Sequence, residues 1–134
     1  MESLLKAIAT RWTSSAGTAI RALATGGLWA MEAKEGVTSP YVVYYPLPGS
    51  VVDTTTSKIE EAMIQFSIYV ASENAASTAA QIYDLLIALF DDVDLTMTGS
   101  YNMIRMIRRS TGHFVKDPDE GYALHVDYEV MYGK

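Results

Sequence analysis

The stretch SPYVVYYPLPGS, Ser39 to Ser50, decides how the chain is layered. Its centre, Tyr41-Val42-Val43-Tyr44-Tyr45, has the β-branched and aromatic content of a strand. Successive strand side chains point to opposite faces, so Tyr41, Val43 and Tyr45 share one face while Val42 and Tyr44 share the other. Both faces are apolar. One of them packs under helices, and the sequence leaves open which. The other needs a cover of its own.

Working outward, Pro40 opens this strand and Pro46 is expected to end it, because proline cannot continue a central ladder. Leu47 to Ser57 then reads as a long connection carrying Val51 and Val52, expected to be mobile in a lone subunit and ordered against a neighbour or partner. On the other side, Glu2 to Thr13 reads as a helix with Leu4, Leu5, Ile8 and Trp12 on one stripe. A second short helix spans about Thr18 to Ala24, and Leu28 to Ala33 is expected as a first strand before the turn Lys34-Glu35-Gly36.

Lys58 to Ser72 carries the clearest strand signal: Ala62, Ile64, Phe66, Ile68 and Val70 alternate with Glu61, Met63, Gln65, Ser67 and Tyr69. A helix follows, with Ala75, Ala79, Ile82, Tyr83, Leu86, Leu89 and Phe90 on one stripe, Ser72 or Asn74 as cap, and Asp91-Asp92 at its end. Leu95 to Met97 is expected as a short strand and Met103 to Val115 as a longer one. Tyr122 to Tyr132 alternates cleanly after the hairpin turn Asp117-Pro118-Asp119-Glu120-Gly121. The order α-α-β-β-β-α-β-β predicts one α+β domain over residues 1–134, with a largely antiparallel mixed sheet of about five strands and helices on one face.

Composition narrows the function. A chain of 134 residues can bury roughly two-thirds of its unfolded surface, and 49 % of its residues are hydrophobic. No apolar run approaches the ~20 residues of a membrane helix, so no membrane role is expected. Met1 to Lys6 lacks the basic and apolar regions of a secretory signal. Cysteine is absent, which removes disulfides, thiolate metal sites and cysteine nucleophiles. Sixteen acidic against ten basic side chains give a net charge of −6, which opposes tight nucleic-acid binding.

Catalytic patterns are missing. His113 and His125 lie on the two arms of the last hairpin and face each other in one of the possible registers, which suggests half a metal site or a proton-transfer pair; two histidines on a polar strand face account for them more simply. Zinc sites use three or four ligands, and no carboxylate spacing completes one here. Asp91, Asp92 and Asp94 lack the glycine turn and terminal glutamate of a calcium loop, and read as a solvated helix end. No serine sits in a G-x-S-x-G elbow, and SSAGTAIRALATGG lacks the lysine of a phosphate loop. Arg105, Arg108 and Arg109 form a basic cluster, with Arg105 and Arg109 on one strand face and Arg108 on the other. Pairing with a neighbouring subunit's carboxylates is the favoured reading of this rim, ahead of solvation or contact with DNA. No enzyme activity, cofactor or metal is expected.

Taken together, the helix LLKAIATRW, the segment LWAMEAKEGVTSPYVVY with Gly36, Pro40 and Tyr41, the run IQFSIYVAS leading into AAQIYDLLIALFDDVDL, and the closing ALHVDYEVMY resemble the tail terminator, or tail completion, proteins of long-tailed bacteriophages. At Lys34 the chain departs from the family, where proline is common after the equivalent of Ala33. The resemblance implies a structural virion protein that assembles in the host cytoplasm into a ring, commonly a hexamer, at the head-proximal end of the tail tube. There it ends tube growth and joins the tail to the head–neck connector. Its partners would be further copies of itself, the tail tube protein and the connector, with DNA passing through without specific binding. Another head–tail connector protein is the nearest alternative, and a small α+β ligand-binding domain a more distant one. A ring also answers the question raised by the two-sided strand, since a neighbouring subunit can cover its second face. The interface residues expected on this reading are Tyr44, Tyr45, Leu47, Val51, Val52, Met63, Tyr69, Arg105, Arg108 and Arg109.

Overall fold

A computed structural model describes residues 2–53, 58–71, 75–97, 99, 101–110, 112–117 and 121–133, with the backbone alone at 48–53, 58, 75, 103, 104 and 117. The fold is α+β. Helix α1 (Glu2–Thr13) buries Leu4, Ala7, Ile8 and Trp12, the stripe that helical spacing dictates. A 3-10 turn (Ser15–Gly17) leads into α2 (Thr18–Leu23). Gly17 is required there, because a Cβ would lie 2.0 Å from the carbonyl oxygen of Trp12. The Arg21 guanidinium donates to Trp12 O in the last turn of α1 and, at 2.7 Å, to Ser14 O, which also accepts from Gly17 N at 3.0 Å.

The sheet has six strands: β1 (Leu28–Ala30), β2 (Tyr41–Asp53), β3 (Lys58–Val70), β4 (Asn102–Arg108), β5 (His113–Asp117) and β6 (Gly121–Gly133). Their order is β1-β2-β3-β6-β4, and β5 pairs with β6 beyond the end of β4. β1 runs parallel to β2 and every other pairing is antiparallel, so the sheet is mixed as expected. Helix α3 (Ala75–Phe90) connects β3 to the outer strands. The cap positions expected at Ser72 and Asn74 lie outside the described residues.

The helices pack on one face of this sheet. Val42 and Tyr44 from β2, Ala62 to Val70 at alternate positions of β3, and Leu124 to Tyr132 at alternate positions of β6 meet Leu4, Ile8, Ile82, Leu86 and Phe90 in one core. Phe66 lies at its centre, 4.9 Å from the Phe90 ring and edge-on to Tyr128 at 5.7 Å. Full burial of such a side chain stabilises the fold by about 1.5–3 kcal/mol.

Four sequence expectations are corrected. Strand β2 does not end at Pro46 but continues to Asp53, so residues 47–53 are strand rather than a connection. The physical reason lies in the pleat. Val42 N donates to Gly27 O and Tyr44 O accepts from Met31 N, so the even positions of β2 turn their polar groups toward β1. Pro46 shares that direction, but β1 pairs only as far as Tyr44, so the missing N–H removes no bond from the β1–β2 ladder. Register shifts between Leu47 and Ser50. Residues 54–57 of the expected mobile segment lie outside the described residues.

Next, β1 stops at Ala30 instead of Ala33, because Met31 takes a positive φ of 69°. Leu95 to Met97 is not a strand; Leu95 is buried and Met97 packs against the core as irregular chain. Finally, the expected strand from Met103 to Val115 is two strands. Between them Arg109 N donates to Asp127 O and Asp127 N donates to Ser110 Oγ, replacing the regular ladder. The extra strand raises the number from about five to six.

Candidate functional site

The face of the sheet opposite the helices is built from five strands, with β2, β3 and β6 running through it and β5 and β4 each covering part of its outer side. Tyr41, Tyr69 and Ala123 lie side by side across β2, β3 and β6, with Val115 of β5 beyond them. The next rows are Val43, Ser67, His125 and His113, then Tyr45, Gln65 and Asp127. Leu47, Met63, Glu129 and Ile107 form a further row, and Glu61, Met131 and Arg105 another. Alternation alone puts these residues on one face.

Much of the face is apolar, yet no helix among the described residues covers it. The rings of Tyr41 and Tyr69 stack 5.1 Å apart. Tyr45, Leu47, Met63 and Tyr69 are half-buried, and Val43 is buried. The chain after β1 curls back over the upper rows, leaving a depression of about 240 Å³ lined by Met31, Ala33, Tyr41, Tyr45 and Tyr69. Tyr45 Oη donates to Gln65 Oε1.

The polar groups are mostly satisfied within the face. Ser67, fully buried, bonds through Oγ to His125 Nδ1 at 2.6 Å. Burial and the neighbouring His113 push the His125 pKa down, against the attraction of Asp127. Glu129 receives Arg105 at 3.1 Å and Arg109 on its other oxygen. The hydrogen bond from Arg109, followed by a bond with Glu61 and the charges of Arg109 and Arg105, holds the Glu129 carboxyl down at about 2. Asp127 Oδ1 is buried without a hydrogen-bond partner.

Of the residues expected at an interface, Tyr45, Leu47, Met63, Tyr69, Arg105 and Arg109 share this face. Tyr44 does not. It is 4 % exposed in the core, and its hydroxyl donates to Leu5 O at 2.9 Å, so the sequence's open choice between the two strand faces falls with Val42 and Tyr44 under the helices. Arg108 is also elsewhere: it donates to Tyr83 Oη at 2.6 Å and lies 3.5 Å from Asp91 on the helix side. The side chains of Val51 and Val52 lie outside the described residues. The sequence placed Tyr41 and Val43 on the face of Tyr45 but did not count them, or Glu129, among the interface residues, although the period of two that places Met63 and Tyr69 there also places them.

The histidines do stand opposite each other, with ring centroids 5.4 Å apart. Among the described residues no group of three or more His, Asp or Glu side chains converges as a metal site. The carboxylates Asp91, Asp92 and Asp94 diverge: Asp91 accepts from Tyr128 Oη at 2.5 Å, while Asp92 turns with φ 52° and Asp94 is exposed.

The sequence matches the family Tail completion protein gp17 over residues 7–133. The chain therefore belongs to that family, and with it to the structural proteins of phage tails. No curated protein sequence matches the chain. Among solved structures, one described as "Virion of native gene transfer agent (GTA) particle" contains a chain of the same fold, with a TM-score of 0.66 and 14 % identity, covering 99 % of this chain and 96 % of that one. A second is less alike, with a TM-score of 0.45 and 10 % identity over 98 % of this chain and 90 % of the other.

Proposed function

We propose that this tail completion protein is a subunit of a homo-oligomeric ring, with six copies the expected number, at the head-proximal end of the tail tube. The ring ends tube growth and joins the tail to the head–neck connector. It works by contact alone, with no catalysis, cofactor or metal of its own. Its partners are other copies, the tube protein and the connector. DNA passes through without specific binding, in keeping with a net charge of −6. The protein assembles in the host cytoplasm and remains in the virion.

The observation that carries this reading is the apolar sheet face without a helix, where Tyr41, Tyr45, Leu47, Met63 and Tyr69 are only half-buried. A small domain seldom leaves such a surface unless something else covers it. Family membership over residues 7–133 and the shared fold with a chain of a gene transfer agent virion support the same conclusion.

Deleting the gene from the producing genome tests it. Tails of irregular length, or tails detached from heads, are the expected outcome by electron microscopy, with rescue by the intact chain. Normal tails joined to filled heads in its absence would overturn the proposal.

A further inference from the structure

One row of paired residues crosses five strands of the sheet: Leu28 on β1, Val42 on β2, Ile68 on β3, Leu124 on β6 and Phe114 on β5. Strands β1 and β5 are thus the two outer edges of the same level. The large hydrophobic side chains left exposed among the described residues are Met31, Phe114 and Val115, at 52, 47 and 45 %. Met31 immediately follows β1, and the other two are on β5. The exposed apolar groups therefore fall at these two edges.

Other edges of the sheet are guarded. The free part of β2 presents Pro46, and β4 is lined by Arg105 and Arg108, features that discourage strand-to-strand contact. By contrast, β5 has no proline and pairs with β6 without a register shift. Its exposed Lys116 is opposite in charge to Glu32 and Glu35, which are exposed beside Met31 with Lys34 between them. Direction agrees as well. β1 is parallel to β2, and three antiparallel steps lead from β2 through β3 and β6 to β5, so β5 runs opposite to β1.

We infer that copies of this chain meet head to tail at this level, with the β5 edge of one copy, carrying Phe114 and Val115, against the β1–Met31 edge of the next. The inference rests on the ring reading above and identifies its contact. Joining two different edges gives a heterologous interface, which closes into a ring when the rotation between copies closes. The antiparallel relation of β5 and β1 is kept if that rotation axis runs near the strand direction. Val115 shares the open face with Ala123, while Met31 borders the depression beside Tyr41 and Tyr45, so these two side chains meet on the same side of the joined sheets.

The absence of cysteine makes the test direct. The full-length Met31→Cys/Val115→Cys and Met31→Cys/Phe114→Cys variants are incorporated into particles in place of the natural chain, oxidised, and run on a denaturing gel without reductant. The inference expects a ladder of covalent multimers from at least one double variant, reversed by reductant and absent from each single variant. The same variants are followed in solution by native mass measurement across concentrations. Oligomers that form yet give no ladder with either pair would overturn this contact and leave the ring standing. A chain that stays a single copy both in particles and in solution would overturn the ring reading, and the contact with it.

Discussion

His113 on β5 stands directly opposite His125 on β6, and His125 is held through Nδ1 by the buried hydroxyl of Ser67. Burial first, and then the charge of His113, lower the His125 pKa from its ordinary value of 6.5. The unfolded chain consequently takes up a proton more readily than the folded one. Stability is complete above pH 6.5 and is lost as pH falls through the lower folded value. Calorimetry from pH 7.5 down to pH 5 should show a falling Tm, and His125→Asn should flatten that decline. An unchanged slope in the variant would assign the acid sensitivity to other groups. The double variant His113→Asn/His125→Asn is expected to keep its function in assembly, because neither ring is asked to do chemistry.

Glu129 is bound by two arginines from the strand beside it and the segment that follows. Its folded pKa of about 2 lies below the ordinary 4.5, so the carboxyl stays ionised through the range in which most carboxylates protonate. Arg109 supplies the largest part of this effect. A carbon-13 NMR titration should give a midpoint near 2 for Glu129, moving upward in Arg109→Gln. A midpoint that does not move would mean that Arg105 and the bond with Glu61 suffice.

Tyr44 and Tyr45 are adjacent in sequence and opposite in fate. Tyr44→Asp puts a carboxylate into the core, at a cost of several kcal/mol that threatens a small domain. Tyr44→Phe removes only the bond to Leu5 O, worth about 1 kcal/mol. Tyr45→Asp should leave the fold nearly intact and prevent oligomerisation, by placing an unpaired carboxylate on the open face. Thermal unfolding together with size measurement separates these outcomes. A Tyr45→Asp protein that still assembles normally would show that the open face is not covered by a neighbour.

The alternation of β3 and β6 was legible, because every second residue from Ala62 to Val70 and from Leu124 to Tyr132 enters the core. The same is true of the stripes on α1 and α3, where burial follows helical spacing. What could not be read depends on neighbours that a strand does not announce. Pro46 is tolerated because β1 is too short to reach it. Leu95 is as apolar as a strand residue, yet it is buried without a pairing partner, next to Ala7 and Arg11 of α1. The side of β2 that faces the helices turns on the reach of Tyr44 to Leu5, a contact 39 positions apart. The break between β4 and β5 did have a signal: Ser110-Thr111-Gly112 is a run of turn residues inside the expected strand.

That break depends on Gly112. A Cβ there would lie 2.9 Å from Tyr83 Cε2 and 3.0 Å from Leu124 Cδ1, closer than side chains approach each other. The Tyr83 ring is not free to withdraw, since its hydroxyl accepts from Arg108 at 2.6 Å and from Gly112 N at 3.3 Å. Gly112→Ala should therefore overpack this corner and destabilise the fold by roughly 1–3 kcal/mol. Tyr83→Leu alone should also destabilise, because Arg108 and Gly112 lose their acceptor. The two changes should not add: with the ring gone, the alanine at 112 has room, and the double variant should be more stable than the sum of the two losses predicts. Denaturant unfolding of the wild type, both single variants and the double variant measures this coupling directly. Simple additivity would mean that the cost at Gly112 lies in the backbone, and the steric account of the β4–β5 break would fail.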